Sequence, residues 1–246
     1  MLVKSNMFWT IYKKLEKEVV ELSYFIHFSD EQRNDKGSQI WTYSNQIADL
    51  LVSICVQIEA IFLELNKNEF KFTTDKVGTV ISEIDNKLGL SAKQVRIISK
   101  NMYFNDVNGL GNNFAPMAYK QGDENDYYSA YCAAKHNRLN ALHKANINVL
   151  IRALAALFVL NVYYSFENIE IDEISEFDFT LGSDIFMVKY SIDIGAPSDI
   201  LIVVEDKEYM KKINAYADSI PDSDSEFLKF RDENEAPSRY GIKINR

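Results

Sequence analysis

Two cysteines, four prolines, nine glycines and three histidines are all that these 246 residues hold of those types, and each scarcity excludes something. Cys55 and Cys132 lie in separate apolar helical patterns without C-x-x-C spacing. They indicate neither a zinc ligand set nor a disulfide framework, and suit buried thiols of a reducing compartment. With so little proline and glycine, few stretches read as linkers. Lys4 is followed by no apolar run with a small-residue cleavage site, so a signal peptide is not expected. The longest apolar run, Val149 to Tyr164, falls short of the roughly 18 residues of a spanning helix and is interrupted by Arg152 and Asn161. A soluble, cytoplasmic chain with no membrane partner is therefore expected. The net charge of −9 speaks against wholesale coating of nucleic acid, because such binding grows with the number of phosphates that basic groups neutralise. Any nucleic-acid contact must be local.

A further absence is regional. Tyr127 to Phe166 runs forty residues without Asp or Glu, in a chain with 36 acids. Average density would place about six there. Burial of the nearly all-apolar half from Val149 to Tyr164 accounts for part of the gap. The half from Tyr127 to Asn148 instead supplies Lys135, His136, Arg138, His143 and Lys144, interspersed with Asn137, Asn140, Asn146 and Asn148. A basic, amide-rich patch in an acidic protein suggests a bound anion such as phosphate. The competing reading is a solvated helix face with unpaired basic groups.

A hydrophobic content of 47% allows one large domain or two modest ones with a real core. Apolar residues recur at helical spacing, and a mainly α fold is expected. Ile11, Leu15, Val19, Leu22 and Ile26 line one side of a first amphipathic helix from about Phe8 to Phe28, with lysines and glutamates opposite. After a polar break, Ser38 is placed to cap a second helix whose Ile40, Ile47, Ile54 and Ile61 lie seven apart, alongside Leu51, Ile58 and Leu65. These two helices should form a hairpin. A third helix from Thr74 to Leu88 stops at Gly89, and a short one begins near Ser91. Asn101 to Gln121 is loop-rich, and its Gly109-Leu-Gly111 lacks the flanking strand and helix of a phosphate loop.

Asp126 should cap a helix running to about Tyr164, about forty residues or roughly 58 Å at 1.5 Å per residue, kinked or divided near Asn137. It forms the central helix of a bundle over residues 1–168. Beyond Glu167 the period falls to two. Phe177, Phe179 and Leu181 alternate, Gly182-Ser183 turns, and Phe186, Val188, Tyr190, Ile192 and Ile194 alternate again. Ile200 to Val204 can add a third strand. The expectation for 169–246 is a small β-hairpin or three-stranded element followed by an acidic tail with Asp222 to Glu226 and Asp232 to Glu235.

Along an unbroken helix His136, Asn140 and His143 fall at about 0°, 40° and 340°, on one face. Imidazole exchanges protons near neutrality because its ordinary pKa is about 6.5. Arg138 lies about 140° round and roughly 7.5 Å along the axis from His143, within reach of a shared small anion. His27 stands alone at the end of the first helix, and Glu59 and Glu64 lack the Glu-x-x-His pairing of a di-iron bundle. No cofactor or metal is expected. Trp9, Trp41 and the tyrosines read as core and interface anchors.

Arg138-Leu-Asn-Ala-Leu-His143 resembles the R-x4-H signature of the HEPN superfamily. Tyr131-x-x-x-Lys135-His136-Asn137-Arg138, followed by Ala145-Asn146-x-x-Val149 and Ala153-Leu154-Ala155-Ala156-Leu157, is similar to a segment of poorly characterised bacterial HEPN-like proteins. The likeness covers about Tyr127 to Tyr164, with Leu139 standing where active members carry a polar residue. It implies a HEPN-like helical bundle and a metal-independent endoribonuclease acting as a bacterial toxin or antiphage effector, with RNA as substrate and a homodimer as the working form. A protein partner such as an antitoxin is also implied. On that likeness Arg138 clamps the phosphate, and either His143 or His136 is the working imidazole. Lys135, Asn137, Asn140 and Lys144 would help hold the substrate. RNA suits this chemistry because its own 2′-OH is the nucleophile, so a base and a stabiliser of phosphate charge suffice. The alternative is a non-catalytic HEPN-like binding, sensor or immunity module that uses the same helix for assembly.

Overall fold

Long apolar stretches at helical spacing dictate a mainly α-helical structure with a few short strands. The computed structural model describes residues 7–32, 37–74, 76–105, 109–111, 113–166, 182–192, 199–203 and 241–245. Helix α1 (Met7–Ser23) turns Tyr12, Leu15, Val19 and Leu22 inward, and strand β1 (Phe28–Ser29) follows it. Ser38 does not open the next long helix. Its hydroxyl accepts from the Ile40 amide at 3.3 Å and caps a single 3-10 turn, Gln39–Trp41. A bridge from Tyr43 to Asn146 holds the chain extended there, so α2 (Asn45–Leu65) starts from Ser44, whose hydroxyl accepts from the Ile47 amide at 3.2 Å. The isoleucines spaced by seven are buried as expected.

Helix α3 (Val77–Leu88) ends on Gly89 at φ 59°, a left-handed conformation that glycine adopts without a Cβ clash. In place of a fourth helix near Ser91 there is only a 3-10 turn, Leu90–Ala92. Strand β2 (Val95–Ile97) comes next, then β3 (Met102–Tyr103) and β4 (Asn113–Phe114). The long helix expected to be kinked or divided near Asn137 is divided there, and again at Ala145, into α4 (Tyr127–His136), α5 (Arg138–Ala141), a 3-10 turn at Leu142–Lys144 and α6 (Ile147–Phe166).

Helix α6 is the axis of the fold, with nearly every side chain from Ile147 to Tyr163 buried on all sides. It packs against α2, α1 and α4. Taken back to Ile147, its apolar window reaches 18 residues, so α6, like α2, is long and apolar enough to cross a membrane by length and composition. This corrects the shorter run read from the sequence. That window is 94% buried inside the protein, which suits a core helix equally well.

Strand β5 (Phe186–Met187) pairs antiparallel with β2, giving a sheet of order β4-β2-β5. Ile185, Phe186 and Val188 join the helical core, although the sequence reading assigns them to a separate extension. Strands β6 (Lys189–Ile192), β7 (Asp199–Val203) and β8 (Gly241–Asn245) form a second antiparallel sheet in that order. The expected third strand is thus found, and β8 is an addition. The Phe177–Leu181 arm and the acidic tail lie outside the described residues.

The return of the chain after Gly182 is fixed by one buried carboxylate. Glu16, fully buried on α1, accepts from the Tyr12 hydroxyl at 2.8 Å, from the Ser183 hydroxyl, and from the Asp184 and Ile185 amides at 3.0 and 3.2 Å. Lys13 caps the group, reaching Glu16 at 2.5 Å, Asp184 at 2.8 Å and the Gly182 carbonyl at 2.6 Å. Burial and the neighbouring Glu16 charge push the Tyr12 hydroxyl well above the ordinary tyrosine range, so it stays a donor. Removing one partner from such a network strands the others in the interior, at about 3–5 kcal/mol. Glu16→Ala is therefore expected to lower the Tm by roughly 10 °C, against little change for the exposed Lys14→Ala. Thermal unfolding followed by circular dichroism checks this, and equal Tm values for the two variants would refute the latch.

Candidate functional site

Amide side chains break the helix where the sequence reading places the site. Asn137 sits at φ −143°, ψ 41°, outside helical space, and its side-chain oxygen accepts from Asn140 Nδ2 at 2.9 Å. Ala145 departs at φ −84°, ψ 77°. Asn146 then caps α6, its Oδ1 accepting from the Val149 amide at 3.2 Å, while the Ile147 amide donates to the Thr42 carbonyl at 3.1 Å. Short polar side chains offer the backbone such alternatives to helix continuation. The helical-wheel face joining His136, Asn140 and His143 rests on an unbroken helix and does not exist. Asn137 and Asn140 bond to one another, and Asn148 is buried, donating to the Glu124 carbonyl and to Asn125 Oδ1, both at 3.0 Å.

The remaining candidates are dispersed along the break. Lys135 donates to the Tyr131 hydroxyl at 2.9 Å and lies 5.2 Å from that ring's centroid. Tyr131 and Tyr128 in turn donate to Glu59 at 3.2 and 2.8 Å. His136 is exposed at the end of α4. Arg138, half-buried, donates through Nε to the Ala134 carbonyl at 3.2 Å and through Nη1 to Asp49 at 2.7 Å. His143, also exposed, meets Tyr43 edge-on at 6.4 Å between centroids. Together with Lys144, Trp41 and Tyr43 it lines an open cleft of about 530 Å³, to which Arg138 does not contribute.

The acid-free stretch of sequence is not acid-free in space. Asp123, Glu124 and Asp126 line the same cleft, so three carboxylates face one ammonium and the imidazole, a formal −2 with neutral histidine. Within this cleft acids outnumber the basic groups, whereas Lys135, His136 and Arg138 of the basic patch lie outside its lining. These acids precede the gap in sequence, and the turn carrying them folds over the start of α6. They suit the positive ends of α4 and α6. Asp126 caps α4, accepting from the Ser129 amide at 2.8 Å and the Gly122 amide at 2.7 Å. The acidic excess of the cleft favours a polar or cationic group.

Outside the cleft, His27 stands past the end of α1 with its ring 4.7 Å from that of Tyr103. Among the described residues no group of three His, Cys, Asp or Glu side chains could hold a metal ion. Cys55 is buried, its thiol raised well above the usual range by burial, and Cys132 is half-buried.

Two buried cations escaped the sequence reading as site elements. Arg152, 5% exposed, donates to Asn148 Oδ1 at 3.1 Å and stacks 5.5 Å from the Phe114 ring, which ties the loop to α6. Burial lowers its guanidinium to about 10, with Asp123 and Glu124 opposing the fall, so it stays charged. Lys93 is buried beside the Tyr163 ring, its ammonium 5.9 Å from the centroid, and burial lowers it to about 7. No sequence signal marks Lys93, because its burial arises from α6 and β2 packing around it.

A lysine lowered in the folded state takes up its proton more readily when unfolded, where its pKa is about 10.4. Its protonation opposes folding in full below about pH 7, and this penalty fades as pH rises from about 7 towards 10. Urea unfolding at pH 7.5 and 8.5 should show wild type gaining about 1 kcal/mol relative to Lys93→Met across that interval. Parallel pH dependences in the two proteins would contradict a neutral buried amine.

No known protein family, curated protein or solved structure matches the chain.

Proposed function

We propose that the chain is a cytoplasmic HEPN-type effector that cleaves RNA without a metal, its site completed by a second copy of itself. The observation that carries this reading is the exposure of the break. His136, Asn137, Leu139, Asn140, His143 and Lys144, ahead of the buried α6 in the chain, are all exposed, and Leu139 is 100% exposed. A leucine fully in water between two imidazoles is suited to contact between copies. Burying one from each copy contributes about 3–6 kcal/mol before the cost of association. A two-fold axis at this ridge would bring Arg138 of each copy towards the imidazoles of the other, and would supply the second proton-transfer group that one histidine per site lacks.

The Arg138–Asp49 pair does not forbid this. Both side chains are substantially exposed, at 36% and 65%, and such pairs contribute roughly 0–1 kcal/mol. A phosphate that takes two charge-assisted hydrogen bonds from the guanidinium competes well with it. In the second reading the same pair and the acidic cleft favour a non-catalytic module, in which Arg138 fastens α5 to α2 and the ridge serves assembly with another protein.

Purified protein incubated with single-stranded RNA separates the readings. Cleavage is expected for wild type. It should fall by about 10²-fold or more for His143→Ala or His136→Ala, whichever supplies the imidazole, and for Arg138→Ala. Asp49→Ala, which frees the guanidinium, should retain or gain activity. Equal cleavage by every variant, or none by wild type across conditions, removes the nuclease reading. Separately, Leu139→Lys is expected to leave the Tm unchanged while shifting the mass measured by light scattering from dimer to monomer. An unchanged mass would remove the shared site.

A further inference from the structure

A second concentration of positive charge lies beside α1, ahead of the acid-free stretch in sequence. Lys13, Lys14 and Lys17 of α1 and Lys100 of the turn between β2 and β3 line an open groove of about 800 Å³, with Asp184 the one acid among the described lining residues, which together carry a formal +3 in a chain of −9. Val20 and Ile98 give it an apolar floor, and Tyr24 stands in its wall, 69% exposed. We propose that this groove binds single-stranded nucleic acid, its lysines on successive phosphates and Tyr24 against a base.

Spacing and availability both support this occupant. Lys13 and Lys17 are four residues apart, about 6 Å along the axis, with Lys14 beside them on the outer face. The buried stripe of Tyr12, Leu15, Val19 and Leu22 holds that face outward. Lys13 is committed to Glu16 and Asp184 and serves the fold. Lys14 and Lys17 have only loose contacts with Glu18 at 3.7 Å and Glu21 at 3.8 Å, on exposed side chains, which a polyanion displaces at little cost. Three lysines are thus available. Exposed rings also stand on the adjoining segments, with Phe25 at 86% and Tyr103 at 55% exposure, the Tyr103 ring tilted against that of His27. A positive groove that follows a backbone, combined with accessible aromatic faces, is how single strands are held without sequence preference.

The test uses the full-length chain and a fluorescent 2′-O-methyl oligonucleotide of about twelve nucleotides, which no 2′-OH-dependent nuclease can cut. Three neutralised phosphates give a log–log salt slope of about −2, so affinity should fall roughly 20-fold between 50 and 200 mM salt. The combined Lys14→Glu, Lys17→Glu and Lys100→Glu variant should bind at least ten-fold more weakly. The exposed control Lys120→Glu should bind as wild type does. Tyr24→Ala should lose several-fold in affinity with the salt slope unchanged. Absence of binding at low salt, or equal binding by the triple variant, overturns the proposal. So does capture of phosphatidylserine vesicles through the same lysines when the oligonucleotide is not bound. Because cleavage is not read, a chain with no nuclease activity can still pass, and an active nuclease can still fail.

Discussion

The removal of α6 from water on every side is the constraint that organises this molecule. A helix that is apolar all round cannot lie at a surface, so other elements must enclose it. The amphipathic α1 and α2 supply much of that cover, α4 supplies more, and β5 with the segment from Gly182 closes a further side. Several polar groups within α6 are held by partners, although Asn161 Oδ1 and the Tyr163 hydroxyl are buried without a hydrogen bond among the described residues. Asn148 and Arg152 are tied to the turn near Asn125, and Asn161 donates to the Leu157 carbonyl at 2.9 Å. The Glu16 network belongs to the same logic, since it anchors the returning segment by satisfying backbone amides that would otherwise be buried unpaired.

That constraint also explains the break before α6. The enclosed helix begins where Asn146 meets the strand-like residues ahead of α2, and the preceding ten residues are lifted out of the helix path by the Asn137 and Ala145 conformations. Groups on this excursion reach water with both imidazoles accessible, yet share no common helical face. A cleft forms between the excursion and the turn that carries Asp123 to Asp126. The lack of acids along one segment of chain was therefore a poor guide to local charge, because the neighbouring turn supplies them in space. The groove beside α1 shows the converse. There lysines from two distant segments gather along one groove, while Glu16, Glu18 and Glu21, which pair with three of them, are not part of its lining.

The helical character, the seven-residue spacing in α2, the Gly89 stop and the Asp126 cap were legible in the residues, since each depends on local rules of periodicity and capping. The helix from Thr74 was readable apart from its first turn. What could not be read locally was decided by distant contacts. Ser38 and Ser44 are equivalent as caps until Tyr43 bridges to Asn146. The Glu16 site joins residues 167 or more apart in sequence. In sequence Asn137 and Asn140 read as substrate-holding residues within an amide-rich patch, whereas all four asparagines of the patch, Asn146 and Asn148 included, serve as caps and internal ties around the helix break. Leu139 was visible as a departure from the HEPN pattern, but its complete exposure, on which the proposed contact between copies rests, was not legible in the residues.

Whether Arg138 and the imidazoles act across two copies is the central question for function, and subunit complementation answers it directly. Arg138→Ala and His143→Ala chains, each assayed alone and after mixing through reversible dissociation, are compared for RNA cleavage. A site shared between copies predicts that mixed dimers recover a substantial fraction of wild-type cleavage, because one chain supplies the guanidinium and the other the imidazole. Mixtures no more active than the average of the two separate variants would contradict a shared site.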